Sequence, residues 1–409
     1  MICYFCLSQD TQISLKDADL THKYIYFGVP DKNQLYIDRV YFTTPSNYYE
    51  QLNILKKELG EKAEEVMFAV DPEHIQCLSN FPKQIGFGKI DSDIEGFREK
   101  KELKIAIINA MSNSIGDHLI GMQAFDQWYS QLQQKLPETK IDITFFQHKP
   151  CMMAEITMQS PNVRHLYVLP SNIDKLMTQD AFVDMGTLLL RDGFDTENMM
   201  DFFLSAFSLD PKEIHSSQKR IKYTIDSDSL WEVQKELKSI KQPTLLLHHK
   251  ASSVIRSLPD DKAKWLVEQL IEKTDYHIVC TSGLEFTHPR FTDLTNFSTC
   301  ISRFSGIISQ VDNIITVDTC TYHIADAFST PTVVLFSTID PDLRCRYYPF
   351  VEPIMYETKD GKLFGKHKLS IEDEEKKKEL DHLNKLWDKI DVDKILSKLH
   401  SIKEHHGRS

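Results

Sequence analysis

The sequence predicts an α/β protein made of two successive open parallel sheets, and three observations carry the prediction. Short apolar runs such as Leu103 to Ile108, Thr244 to Leu247 and Asn313 to Val317 each lead through a polar turn into a segment of helical period. That is the order which crossover connections impose on parallel strands. The series restarts near residue 243, behind the polar stretch Lys238 to Gln242, which gives two halves of similar size. At 409 residues the chain is also too long for one ordinary core. Two Rossmann-like domains facing each other across a cleft are expected, with a smaller unit in front of them.

The front unit, residues 1–98, reads as a small α+β domain. A hairpin is expected from Tyr24 to Phe27 and Leu35 to Thr43 around the turn Pro30-Asp31-Lys32-Asn33, then a helix capped by Ser46 and ending at Gly60, then a strand from Val66 to Val70. The charged run Arg98 to Glu102 reads as a linker. Domain 103–240 opens with the strand Leu103 to Ile108, the loop Asn109 to Asp117, and a helix that lines up Gly121, Phe125, Trp128 and Leu132 on one face. Strands at Ile141 to Phe146 and His165 to Leu169 follow. Domain 243–369 carries the strand Thr244 to Leu247, the helix Asp260 to Lys273, and strands Tyr276 to Thr281, Asn313 to Val317 and Thr332 to Phe336. Residues 370–409 form charged helices whose apolar positions, among them Leu383, Trp387, Ile395 and Leu399, are expected to clasp the two domains.

Composition narrows the function. A hydrophobic content of 41% with 26% charged residues is that of a soluble globular protein, and no uncharged apolar run is long enough to cross a bilayer. The N-terminus lacks the basic start of a signal peptide, so a cytoplasmic location is expected. A net charge of -12 with no visible basic cluster argues against nucleic acid as a partner. The eight cysteines are scattered, and only Cys3 and Cys6 have the spacing of a metal or redox pair, with no second pair to complete a site. Asp91 and Asp93 stand before the linker, away from either predicted sheet, so no metal is expected to bridge a phosphate.

The most informative stretch is 311–341. The apolar run Asn313 to Val317 ends in Asp318-Thr319-Cys320-Thr321, enters a helix carrying His323, and is followed by the strand Thr332 to Phe336 and the turn Ser337-Thr338-Ile339-Asp340-Pro341. A strand that feeds straight into a helix points free backbone N–H groups and the positive end of a dipole at whatever lies beyond the sheet, which suits a phosphate. By itself His323 would read as a core histidine, and its spacing from Asp318 shifts the reading towards a ligand contact.

Two segments resemble a known family. The loop Ser114-Ile115-Gly116-Asp117 is similar to the opening of the ADP-heptose heptosyltransferases, glycosyltransferase family 9. Asp318 to Ala327, Thr330-Pro331 and Leu335 to Pro341 resemble the donor-site signature of that family almost in register. The similarity spans about residues 103–400. It implies the GT-B architecture and an inverting, metal-independent transfer of a sugar, with heptose from ADP-heptose as donor and a glycan or lipopolysaccharide-type acceptor. It also implies transient visits to a membrane surface and no cofactor beyond the nucleotide sugar.

The resemblance makes Asp117 the general base, with Ser114 and Gly116 shaping the acceptor-side loop; the plain alternative is that Asp117 caps the helix. Thr319, Cys320 and Thr321 would hold the diphosphate, His323 would reach the donor, and Asp318 would bond sugar hydroxyls or cap its helix. Arg256 stands where the family places a lysine, Lys250 is a second cation for the leaving diphosphate, and Glu285 matches an acidic donor contact. The chain departs from the family pattern at Cys320, Ser329 and His249-Lys250, all read as lying around the donor pocket. A scaffold that kept this fold without the reaction, and a nucleotide-sugar epimerase, are the competing readings.

Overall fold

In the computed structural model the described residues are 82–108, 111, 114–147, 151–168, 171–172, 175–176, 178–185, 188, 193–356, 363–366, 369–370 and 372–406, with the backbone of four strands nearer the N-terminus. Two compact units divide the chain: Met1–Phe194 with Asp201–Glu213, and Asp195–Met200 with Ile214–Ser409.

The first unit holds two sheets. Strands β1 (Ile2–Cys6), β2 (Tyr24–Phe27), β3 (Arg39–Thr43) and β4 (Val66–Val70) form one of them with β9 (Ser171–Asn172), in the order β3-β1-β4-β2-β9. This overturns the predicted hairpin. The segments at 24–27 and 39–43 are both strands, but β1 and β4 stand between them, and the four strands β1 to β4 pair in parallel. A run of strand residues on either side of a turn signal fixes two strands without fixing that they are neighbours; parallel partners need crossovers that local sequence does not display. The predicted helix behind Ser46 lies outside the described residues.

The other sheet of this unit has the order β5-β10-β6-β7-β8, from β5 (Lys83–Gln84), β6 (Glu102–Ile108), β7 (Lys140–Gln147), β8 (Val163–Val168) and β10 (Ala181–Asp184), parallel throughout. Helix α1 (Ile90–Ile94) precedes β6. It contains Asp91 and Asp93, both engaged in the fold: Asp91 accepts from Lys135 Nζ at 2.9 Å, and Asp93 Oδ2 from the Gly86 N–H at 3.1 Å. Helix α2 (Ile115–Lys135) crosses from β6 to β7, and α3 (Cys151–Thr157) follows β7. The predicted face of α2 is the observed one, with Phe125, Trp128 and Leu132 wholly buried. Phe125 meets Phe145 of β7 edge-on at 5.1 Å. Such aromatic contacts add about 1 kcal/mol beyond the area they bury.

The second unit is built on one sheet of six parallel strands: β11 (Thr244–His248), β12 (His277–Cys280), β13 (Phe291–Asp293), β14 (Asn313–Val317), β15 (Thr332–Phe336) and β16 (Val351–Met355). The order β13-β12-β11-β14-β15-β16 is 3-2-1-4-5-6 in the chain order of the unit, the doubly wound Rossmann arrangement. Helices α4 (Ser227–Leu237), α5 (Asp260–Lys273), α6 (Ile301–Gln310) and α7 (Cys320–Phe328) cover it. Gly306 of α6 lets α4 approach closely, since a Cβ there would lie 2.8 Å from Val233 Cγ2. The C-terminal helices α8 (Asp373–Trp387) and α9 (Val392–His406) pack Leu383, Trp387, Ile395 and Leu399 into the same core as Leu245 and Ile278. Burying both faces of a parallel sheet makes its central strands continuous apolar runs, which is why 244–247, 313–317 and 332–336 were legible as strands.

Candidate active site

The 3-2-1-4-5-6 order has one physical consequence for function. Connections leaving the carboxyl ends of β11 and β14 run in opposite directions, and the crevice between them is where open α/β sheets take ligands. The predicted donor residues all belong to segments that leave this edge. Lys250 and Arg256 follow β11, Glu285 follows β12, and Asp318, Thr319, Cys320, Thr321 and His323 follow β14.

Polar contacts stitch these segments together. Arg256 Nη1 donates to Asp318 Oδ2 at 3.3 Å across the β11/β14 divide, while its Nη2 donates to Ser252 Oγ at 2.8 Å. Tyr322 Oη donates to the other Asp318 oxygen at 3.0 Å. Asp318 is thus neither open to solvent nor the cap of α7; it is buried, and Thr319 holds the cap position with extended backbone. After β15, Ser337 Oγ donates to the Ile255 carbonyl at 2.7 Å, tying that turn to the Arg256 loop. Lys250 Nζ donates to the Gly283 carbonyl at 3.2 Å, which brings it to the loop of the exposed Glu285.

The departures from the family pattern have structural accounts. His249 is fully buried, with Nδ1 2.6 Å from Ser282 Oγ and Nε2 3.0 Å from Asp260 Oδ1, so it locks the loops after β11 and β12 to the start of α5. Burial holds its pKa below the usual histidine value. Cys320 is half-buried in the first turn of α7, and burial pushes its thiol up to about 11, so it stays a neutral thiol at pH 7. Ser329 does not lie at this edge. It ends α7 in the left-handed conformation (φ 55°), with Thr330 N–H donating to the Ala325 carbonyl at 3.0 Å, the position where glycine is favoured. Arg220 Nη2 donates to Ser329 Oγ at 3.0 Å and supports the strained residue.

His323 and Thr321 sit deeper than the sequence suggested. His323 is 4% exposed, its Nδ1 lies 2.8 Å from Tyr348 Oη, and burial drives its pKa down to about 3, so the ring is neutral. Thr321 is fully buried, and its Oγ1 is a sealed polar atom without a hydrogen-bond partner among the described residues; Thr338 Oγ1, just beyond β15, is another. Tyr322 and Tyr348 were missed by the sequence reading. Tyrosines in apolar surroundings look like core residues, and only the fold shows their hydroxyls turned to Asp318 and His323.

In the first unit, Ser114 holds the cap position of α2, its carbonyl accepting the His118 N–H at 2.9 Å, and Asp117 lies in the first turn. Gly116 is helical and buried in the first turn of α2, and the left-handed conformation before that turn falls on Met111 (φ 56°). His118 Nε2 lies 2.8 Å from Thr157 Oγ1 of α3, and Thr157 donates to Gln147 at the end of β7. These bonds fix the first turn of α2 against the sheet.

A cavity of about 960 Å³ opens at the opposite, amino-terminal edge of the second unit's sheet, lined by Tyr276, Asp312, Pro331, Leu399 and Lys403 among others. None of the predicted residues lines it, and that edge receives helix C-termini, whose exposed carbonyls disfavour an anion. Among the described residues no group of three or more His, Cys, Asp or Glu is gathered as a metal would require, and no helix is long and apolar enough to cross a membrane.

No protein-family model matches the sequence, and no curated protein matches it. Solved structures do. A glycosyl transferase family 9 structure from Veillonella parvula matches with a TM-score of 0.50 at 13% identity, over 73% of this chain and 97% of that one. The E. coli ADP-heptose lps heptosyltransferase II gives 0.47 at 15% identity over 69% and 98%, and the E. coli heptosyltransferase WaaC with ADP gives 0.42 at 13% over 62% and 93%. The Veillonella likeness shows a shared fold: this chain is similar in architecture to a family 9 glycosyltransferase.

Proposed function

We propose that the chain is a glycosyltransferase that moves a sugar from a nucleotide sugar to an acceptor hydroxyl, with inversion and without a metal. The observation that carries the reading is the meeting of Arg256 and Asp318 at the switch point of a 3-2-1-4-5-6 sheet, beside the start of α7, where the Thr319 side chain makes no capping hydrogen bond. Backbone N–H groups of that helix start would hold the diphosphate. As the bond from anomeric carbon to diphosphate breaks, negative charge grows on the leaving oxygen, and a cation fixed beforehand stabilises that state more than the ground state. Arg256 uses one nitrogen on Asp318 and one on Ser252, and its five donors leave N–H groups for phosphate oxygens. Lys250 is the second cation. Asp117 accepts the proton of the acceptor hydroxyl as its oxygen attacks the anomeric carbon. Following the resemblance, the donor is ADP-heptose and the acceptor a glycan or lipopolysaccharide-type glycolipid met at a membrane surface.

Thermal unfolding with ADP, UDP and GDP tests the reading. A ligand that binds the folded state alone stabilises it by about 2.7 kcal/mol at a hundred times its dissociation constant. ADP should raise the midpoint more than UDP or GDP, and Arg256→Ala should reduce the rise. A chain that responds to no nucleoside diphosphate would overturn the proposal, and an epimerised sugar product from donor alone, without acceptor, would point to an epimerase.

A further inference from the structure

We infer that Tyr348 is a positioning residue that fixes the tautomer of His323, so that the ring presents an Nε2–H donor at the diphosphate site; this deepens the proposed function and rests on it for the identity of the acceptor atom. The argument is one of hydrogen-bond satisfaction. Tyr348 Oη lies 2.8 Å from His323 Nδ1, the two rings meet edge-on at 88° with centroids 5.5 Å apart, and both residues are 4% exposed. Among the described residues, His323 Nδ1 is the one hydrogen-bond partner of Tyr348 Oη.

Two proton arrangements are possible. If Nδ1 carried the proton, the tyrosine would accept it, and the phenolic hydrogen would be left buried with nowhere to go. An unsatisfied buried donor is destabilising by about 1–3 kcal/mol. If the tyrosine donates to Nδ1, its hydrogen is satisfied and the ring proton must sit on Nε2. Burial keeps the phenol protonated and the imidazole neutral, so neither group escapes the choice by ionising. His323 Nε2 bonds to nothing among the described residues; the bond of the ring is at Nδ1. The residue itself is 4% exposed. Its helix turn begins at Thr319–Cys320, where the diphosphate is proposed to lie. A neutral N–H donor there works without a pH-dependent charge, and the second ring nitrogen sets its direction.

The full chain labelled with ¹⁵N-histidine tests this, with the His323 resonances assigned by their loss in His323→Gln. Nitrogen shifts distinguish the protonated from the bare ring nitrogen. The wild type should carry its proton on Nε2, and Tyr348→Phe, which keeps the ring and removes the hydroxyl, should populate the Nδ1–H form. ADP affinity should fall by about fivefold in Tyr348→Phe, the size of one hydrogen bond. In a His323→Gln background, where the side-chain amide supplies a fixed donor, the same tyrosine change should cost no further affinity. A wild-type proton on Nδ1, an unchanged tautomer in Tyr348→Phe, or an equal affinity loss in both backgrounds would overturn the inference. If ADP binds no form of the chain, the proposed function falls, while the tautomer measurement still decides the role of Tyr348.

Discussion

The two units each send a buried central strand into a helix, and the two helix starts differ in where they keep their carboxylate. In the second unit Asp318 stands before the cap residue, buried, with one oxygen on Arg256 and the other on Tyr322. In the first unit the cap position is Ser114 and the carboxylate, Asp117, lies inside the first turn and is only partly buried. The difference teaches what each start can do. A carboxylate held ahead of a helix by a guanidinium organises a cation and leaves the backbone N–H groups for an anion. A carboxylate within the turn uses the helix dipole itself, which stabilises its charged form, and it keeps a surface from which to receive a proton.

The comparison breaks most visibly at Asp117. Asp117→Ala should lower sugar transfer about a thousandfold while leaving the fold and ADP affinity intact, since general-base contributions run to about 10²–10⁴; equal transfer by variant and wild type would assign Asp117 to helix stabilisation alone. Asp318→Ala should act in the opposite way. It leaves Arg256 and the Tyr322 hydroxyl without their acceptor, so urea unfolding should show a loss of about 3 kcal/mol, the cost of removing one partner of a buried pair. A stability change no larger than that of Asp117→Ala would remove the contrast between the two starts.

The smallest effect sharpens the second unit further. Burial lowers the pKa of His323 to about 3 and of His248 to about 4, below the ordinary value near 6.5. Between pH 6 and 4 the unfolded chain therefore binds protons at these sites that the folded chain refuses, and stability falls as the pH drops. Asp326 opposes them: burial raises it to about 6, so over the same range the folded chain binds the proton, and its share of stability falls as the pH rises. Wild type should accordingly lose stability faster than His323→Gln by about 1.4 kcal/mol per pH unit across that range. Parallel pH profiles would show that His323 is charged in the fold.

Several elements were legible because their signal is local. The strand Asn313–Val317 and the helix Asp260–Lys273 have the predicted bounds, since a strand buried on both faces must be apolar throughout and an amphipathic helix must repeat at its own period. That residues 318–323 lead from the end of this strand directly into a helix was legible, because a polar turn at the end of such a strand has few uses other than starting a helix. The pairing of 24–27 with 39–43 was not legible, and neither was the position of Ser329. A glycine-like position before Thr330-Pro331 reads as part of a ligand loop in one dimension; in the fold it is the left-handed end of α7, at the other edge of the sheet. The start of α2 at Ile115 was not legible either, since a glycine at 116 suits a loop as well as a helix turn, and it is Met111 that takes the left-handed conformation.

What the sequence determined by itself is the alternation of strand and helix, the parallel character of the two main sheets and the residues that leave their carboxyl ends, because hydrophobic period and turn chemistry act over a few neighbours. Tertiary structure alone decided the strand order 3-2-1-4-5-6, the junction of Arg256 with Asp318 and the seating of His323 against Tyr348. Those contacts join residues 62 and 25 positions apart in the chain. Their pairing follows from which faces and edges pack together, and no local preference encodes it.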